Sequence, residues 1–84
     1  MSGKIYIIFS EKWNQFYVGC SVDEVSRLEE HNAGKNKSTR GGAPWEIKFT
    51  ETFETMTLAR KRESEIKRKK SRKYLEWLIS SSAG

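Results

Sequence analysis

The segment Lys4–Cys20, KIYIIFSEKWNQFYVGC, decides how this chain folds. Lys4–Phe9 and Gln15–Ser21 both alternate and are rich in β-branched and aromatic residues, the pattern of half-buried strands. The five residues between them, Ser10-Glu11-Lys12-Trp13-Asn14, have the length of a hairpin loop. Ile5, Ile7 and Phe9 share one face of the first strand, and Phe16, Val18 and Cys20 share one face of the second. Pairing Ile5 with Val18 and Ile7 with Phe16 buries this set together. That register sets Tyr6 opposite Tyr17 on the other face, with Gly19 diagonal to Tyr6. Two phenols beside the bare backbone of a glycine make a place that another molecule can approach closely.

Beyond the hairpin, Ser21-Val22-Asp23-Glu24 has the form of a capping box and starts a helix. Val22, Val25 and Leu28 are its apolar stripe and Gly34 its C-terminal stop. Arg27 and His31, four residues apart, stack on one side of it. Gly34–Pro44, GKNKSTRGGAP, reads as a flexible basic loop in which Lys35, Lys37 and Arg40 suit phosphates. Trp45, Ile47 and Phe49 then alternate with Glu46, Lys48 and Thr50 as a third strand. From Thr55 or Thr57 a helix runs through a basic segment. Ser71 caps a last helix whose Tyr74, Leu75 and Leu78 pack back on the core, with Trp77 nearby. The small polar end, Ser80–Gly84, is expected to fray. The expected fold is α+β, a three-stranded antiparallel sheet flanked by helices in the order β-β-α-β-α-α, as one domain over 1–84 with its core at about 4–79.

Eighty-four residues support one modest core. No apolar run approaches the length of a membrane span, and the first residues lack the hydrophobic stretch of a signal peptide. The one cysteine, Cys20, has no partner for an internal disulfide, so the expected compartment is the reducing cytoplasm. The net charge of +5 is unevenly spread. Between Arg60 and Lys73 nine basic residues stand against two acidic ones, while the rest of the chain holds seven basic and nine acidic. A basic segment carrying Lys67, Arg68, Lys69 and Lys70 on a mildly acidic body points to a polyanionic partner.

One acidic residue in that segment is out of place. The apolar residues of the basic helix are few: Leu58, Ala59 and Ile66. At 100° per residue Glu63 falls within about 60° of both Ala59 and Ile66, on the stripe that faces the body of the protein. Glu65 points away. An inward carboxylate needs a cation, a hydrogen-bond network or water. Two readings stand: an ion pair with a neighbour such as Arg27, or a metal ligand, since one carboxylate with substrate phosphate oxygens and waters is a usual magnesium site.

Two tyrosines on one sheet face, an arginine on the next helix and an inward glutamate on a later one form an ordered set. The chain resembles the GIY-YIG nuclease superfamily, in particular its small single-domain members and the N-terminal domain of the excision-repair endonuclease. Lys4-Ile5-Tyr6 stands where the family has Gly-Ile-Tyr, and Tyr17-Val18-Gly19 where it has Tyr-Ile-Gly. Arg27–Asn32 matches the helix with the arginine and histidine, and Ala59–Lys67 the helix with the metal-binding glutamate. The resemblance runs from Lys4 to Ile79. It implies an endonuclease that hydrolyses phosphodiester bonds with one Mg²⁺ or Mn²⁺, on DNA ahead of RNA, selecting substrates by shape in the manner of DNA repair. The implied roles are Tyr6 as base, Tyr17 in support, Arg27 as phosphate clamp, His31 as holder of a tyrosine or proton shuttle, and Glu63 as metal ligand. Gly19 would let the substrate backbone approach. No asparagine follows Glu63, where many catalytic members carry one. The alternatives are a non-catalytic nucleic-acid-binding module on the same scaffold and a basic protein-interaction domain.

Overall fold

In a computed structural model, which describes residues 2–82, the chain forms β1 (Gly3–Ser10), β2 (Gln15–Ser21), α1 (Glu24–Asn32), β3 (Trp45–Phe53), α2 (Met56–Lys69) and α3 (Arg72–Ser82). This is the α+β order that the sequence predicts. The polar end is helical through Ser82, and the rest of the segment expected to fray lies outside the described residues. The sheet is antiparallel in the order β2-β1-β3. β1 takes the centre because it is apolar on both sides. Ile5 and Ile7 face one layer and Tyr6 and Ile8 the other, none of them more than 1% exposed. The first layer is α2 and α3, whose Ala59, Ile66 and Leu78 close on Ile5, Ile7 and Val18, with Tyr74 and Leu75 at its border. The second gathers Tyr6, Ile8 and Trp45 with Tyr17, Leu28 and Ile47.

The expected faces of the hairpin are the observed ones, but the register is shifted by two residues. Ile5 pairs with Cys20, Ile7 with Val18 and Phe9 with Phe16, so Tyr6 faces Gly19 and Tyr17 faces Ile8. A slip of two leaves every side chain on its own face. The turn and the aromatic pair decide between the two. Ser10 pairs with Gln15, Asn14 takes the left-handed conformation at φ 52°, and the rings of Phe9 and Phe16 meet at 4.7 Å.

β3 carries an irregularity that alternation conceals. Ile7 pairs with Phe49 and Ile8 with Ile47, so Lys48 is an extra residue in the strand. Across this bulge the alternation changes sides: Phe49 packs with Ile5 and Ile7, while Ile47 packs with Tyr6 and Ile8.

The start of α1 also differs from the expected capping box. Ser21 is still paired with Lys4 in the sheet, so the helix begins later, and Asp23 is the cap, accepting from the backbone N–H of Val25 and Ser26. Glu24 is drawn instead to Lys4, 3.1 Å away. The expected stripe shrinks accordingly: Val22 and Val25 are 48% and 54% exposed, and Leu28 alone of the three packs inward. Gly34 ends the helix as expected, at φ 76°. Thr55 caps α2 by accepting from Leu58 N–H, and Ser71 accepts from Tyr74 N–H at the start of α3.

Replacing Leu78 by alanine should lower the unfolding free energy by about 2–4 kcal/mol. Trp77→Ala, one position along on the exposed side of α3, should change it far less. Urea titrations of the two variants check the contrast.

Candidate active site

The second face of the sheet is organised by a row of buried polar groups. The Tyr6 phenol lies across Gly19, and a Cβ there would collide with its oxygen and ring. The backbone expected to admit a substrate is therefore covered by the first tyrosine. Tyr6 Oη meets His31 Nε2 at 3.0 Å, and His31 Nδ1 meets Thr39 Oγ1 at 2.7 Å. Thr39 Oγ1 in turn donates to the carbonyl of Asn36, 3.5 Å away. A hydroxyl that donates onward accepts from Nδ1–H, which leaves Nε2 bare to accept the phenol's proton. Trp45 Nε1 donates to Thr39 O at 3.1 Å and fixes the loop above the histidine.

Burial is the leading influence on both titratable groups. It pushes the Tyr6 phenol above its ordinary value, against the pull of a hydrogen bond and charge from Arg27. It pushes His31 below its ordinary value, and the positive charge of Arg27 adds to the effect. His31 is therefore a neutral imidazole at physiological pH. Hydrogen bonding with Tyr6 raises Arg27, whose guanidinium also reaches Glu30 at 2.7 Å and stays partly exposed. The phenol thus meets His31 directly, while the Arg27 charge acts on its oxygen.

Tyr17, the half-buried second tyrosine, sets its ring edge-on to His31 at 5.0 Å and lies 5.7 Å from the Lys67 ammonium. Glu63 faces inward as predicted, its side chain 20% exposed, but its partner is Lys67 at 2.8 Å rather than Arg27. Its charge is felt at Tyr6 and also at Cys20, which burial first and Glu63 second raise above the ordinary thiol value. Tyr6, Tyr17 and His31 therefore pack together, the charges of Arg27 and Glu63 both act on Tyr6, and Lys67 links Glu63 to the Tyr17 ring. Among the described residues no cluster of three or more metal-ligating side chains exists. One accessible carboxylate suits Mg²⁺ or Mn²⁺ held jointly with phosphate oxygens and water, and does not suit an all-protein cage.

The basic candidates do not form one surface. Lys67 reaches Tyr17, and Lys70 borders the groove beside it. Arg68 and Lys69 turn to a separate recess with Glu65, where Lys69 lies 5.3 Å from the Tyr74 ring. Arg40 is bonded to Gly34 O at 3.0 Å, while Lys35 and Lys37 project from the loop. That loop is built from turns, with Thr39 N–H donating to Asn36 O and Gly42 N–H to Thr39 O. Sequence reasoning missed Thr39, since a threonine in a polar glycine-rich loop carries no sign that it will be buried. It also missed Asn32, whose amide accepts from Trp45 N–H at 2.6 Å and joins the end of α1 to the start of β3.

A family model described as the GIY-YIG catalytic domain matches residues 2–75. The chain belongs to the GIY-YIG family. It is 39% identical to a UPF0213 protein of Natronomonas pharaonis over 69 residues, which is 81% of this chain and 80% of that one. It is 42% identical to a UPF0213 protein of Halobacterium salinarum over 53 residues, 62% of this chain and 69% of the relative. The solution NMR structure of a UPF0213 protein from Bacillus halodurans superposes with a TM-score of 0.62 at 33% identity, covering 100% of this chain and 88% of that one. Membership places the chain in a nuclease superfamily.

Two measurements probe the buried row. His31 has a depressed folded value, so the unfolded chain binds the proton more readily and stability rises with pH. Stability is complete above about pH 6.5, where both states are neutral, and is lost on acidification below it. The Tm of the wild type should fall below that pH, and the Tm of His31→Gln should fall less steeply. Thr39→Val leaves a buried Nδ1–H unpaired and should cost about 1–3 kcal/mol in chemical denaturation.

Proposed function

We propose that this GIY-YIG domain is a metal-dependent endonuclease that hydrolyses phosphodiester bonds in nucleic acid, DNA ahead of RNA. The observation that carries the reading is that Tyr6, His31 and Tyr17 pack together while the charges of Arg27 and Glu63 both act on Tyr6. Phosphodiester hydrolysis needs an oriented water, cations on the charge that builds at phosphorus, and help for the leaving oxygen. Arg27, planar and always charged, exchanges Glu30 for a non-bridging phosphate oxygen. Glu63 holds Mg²⁺ or Mn²⁺, and the ion when bound supplies charge neutralisation at the leaving oxygen.

The burial of Tyr6, only 1% exposed, supports a division of labour opposite to the one the resemblance implies. Tyr17, half-buried and open to the groove, meets the attacking water, and its phenolate form takes the water's proton to become the phenol. Tyr6 is a positioning residue: its oxygen draws the Arg27 guanidinium toward it, while His31 and Thr39 hold the phenol in place. Lys35, Lys37, Lys67 and Lys70 contact the backbone phosphates, so affinity falls as salt rises.

The test is a cleavage assay on end-labelled single-stranded, duplex, flap and branched DNA, with matched RNA, in Mg²⁺, Mn²⁺ or EDTA. Wild type should cleave only with the metal, and Glu63→Ala should not cleave. Tyr17→Phe should lose about 100-fold or more in rate with binding retained. The ion pair between Glu63 and Lys67 favours a second reading, a binding module in which the carboxylate is structural. Salt-sensitive binding without cleavage by the wild type under any of these conditions would establish that module instead.

A further inference from the structure

β2 lies at one edge of the sheet, and a groove of about 450 Å³ opens between it and the corner where α2 meets α3. That is within the size range of small-molecule sites. Its floor is apolar, made by Phe16 and Val18 from the strand and Ile66 and Leu75 from the helices. Its rim carries Lys67 and Lys70. Arg72 forms an end wall: its guanidinium is held by Asn14 O at 2.8 Å and Asn14 Oδ1 at 2.9 Å and lies over the Phe16 ring. Gln15 stands exposed at the mouth, and its amide both donates and accepts. Tyr17 and Lys67 belong to this groove and to the site around Glu63 alike, so whatever fills the groove lies beside the reacting phosphate.

We infer that the groove receives one unpaired base of the substrate strand, adjacent to the phosphodiester that is cleaved. This inference rests on the nuclease reading and deepens it. A nucleotide combines an apolar, planar base with an anionic phosphate at a fixed short distance, which is the pairing that an apolar floor inside a two-lysine rim offers. The base edge meets the Gln15 amide, and the flanking phosphates meet Lys67 and Lys70. A base within a continuous duplex is stacked above and below and paired at its edge, so it enters only at the cost of unstacking and unpairing, most of which a single strand is spared. The preferred substrates are therefore single strands, flaps and bubbles.

The experiment measures binding by fluorescence anisotropy in EDTA, at fixed salt, with a labelled single-stranded oligonucleotide, its duplex, and the same strand made abasic at successive positions, in DNA and matched RNA. The single strand should bind about tenfold more tightly than the duplex, and one abasic position should lose most of that advantage. Gln15→Trp, which fills the groove from an exposed position, should remove the preference while leaving Tm unchanged. Lys70→Asn, which tolerates the left-handed backbone at this corner, should weaken intact and abasic strands alike. Equal affinity for single strand and duplex, indifferent to Gln15→Trp, would overturn the groove assignment while metal-dependent cleavage still upheld the nuclease. Absence of binding to every strand would sink both.

Discussion

The hydrogen bond between Tyr6 and His31 is the constraint on which the second face of this protein depends. Tyr6 sits on the central strand, with sheet neighbours on both sides, so its hydroxyl has no route to solvent and must find a partner above the sheet. Gly19 gives the ring room to lie down, and His31 gives the oxygen its partner. α1 is placed by the same contact. Val25 and Ser26 in its first turn are solvent-exposed, Leu28 is partly buried, and His31 is its one buried residue. A helix held mainly by a polar anchor is positioned more narrowly than one held by a greasy stripe, because a hydrogen bond tolerates less sliding than apolar contact does.

That constraint also explains which parts of the fold could be read from sequence. The alternation in Lys4–Cys20 separates the two faces correctly, because a period of two is what the pleat imposes. It cannot tell one register from another two residues away, and there the turn at Asn14 and the Phe9–Phe16 pair decide. In β3 the alternation is legible and its consequence is not, since nothing marks Lys48 as the residue that the ladder leaves over. The capping signal at Ser21 is real chemistry in the wrong place. Ser21 still belongs to the strand, and tertiary pairing outweighs a local preference.

The site divides in the same way. Glu63 is legible because helical geometry turns it inward whatever surrounds it, and its ion pair with Lys67 follows from the spacing of four. Thr39 is not legible, because its burial depends on a loop shaped by Trp45 and Asn36. The run of cations from Lys67 to Lys70 reads as one patch in sequence. A helix that ends within it, and a residue at φ 48° that turns the chain, distribute those charges to different sides of the molecule.

The order β2-β1-β3 places the strand that comes first in chain order at the centre of the sheet. β1 can close a hairpin with β2 at once, but its other edge waits for β3, some forty residues later in the chain. Until then a strand of isoleucines presents an open ladder, the kind of edge that invites pairing with another chain. Completing the sheet thus takes a non-local pairing that neither the hairpin nor the helices supply. The β1–β3 seam is therefore where long-range closure and an edge open to other chains coincide in this fold.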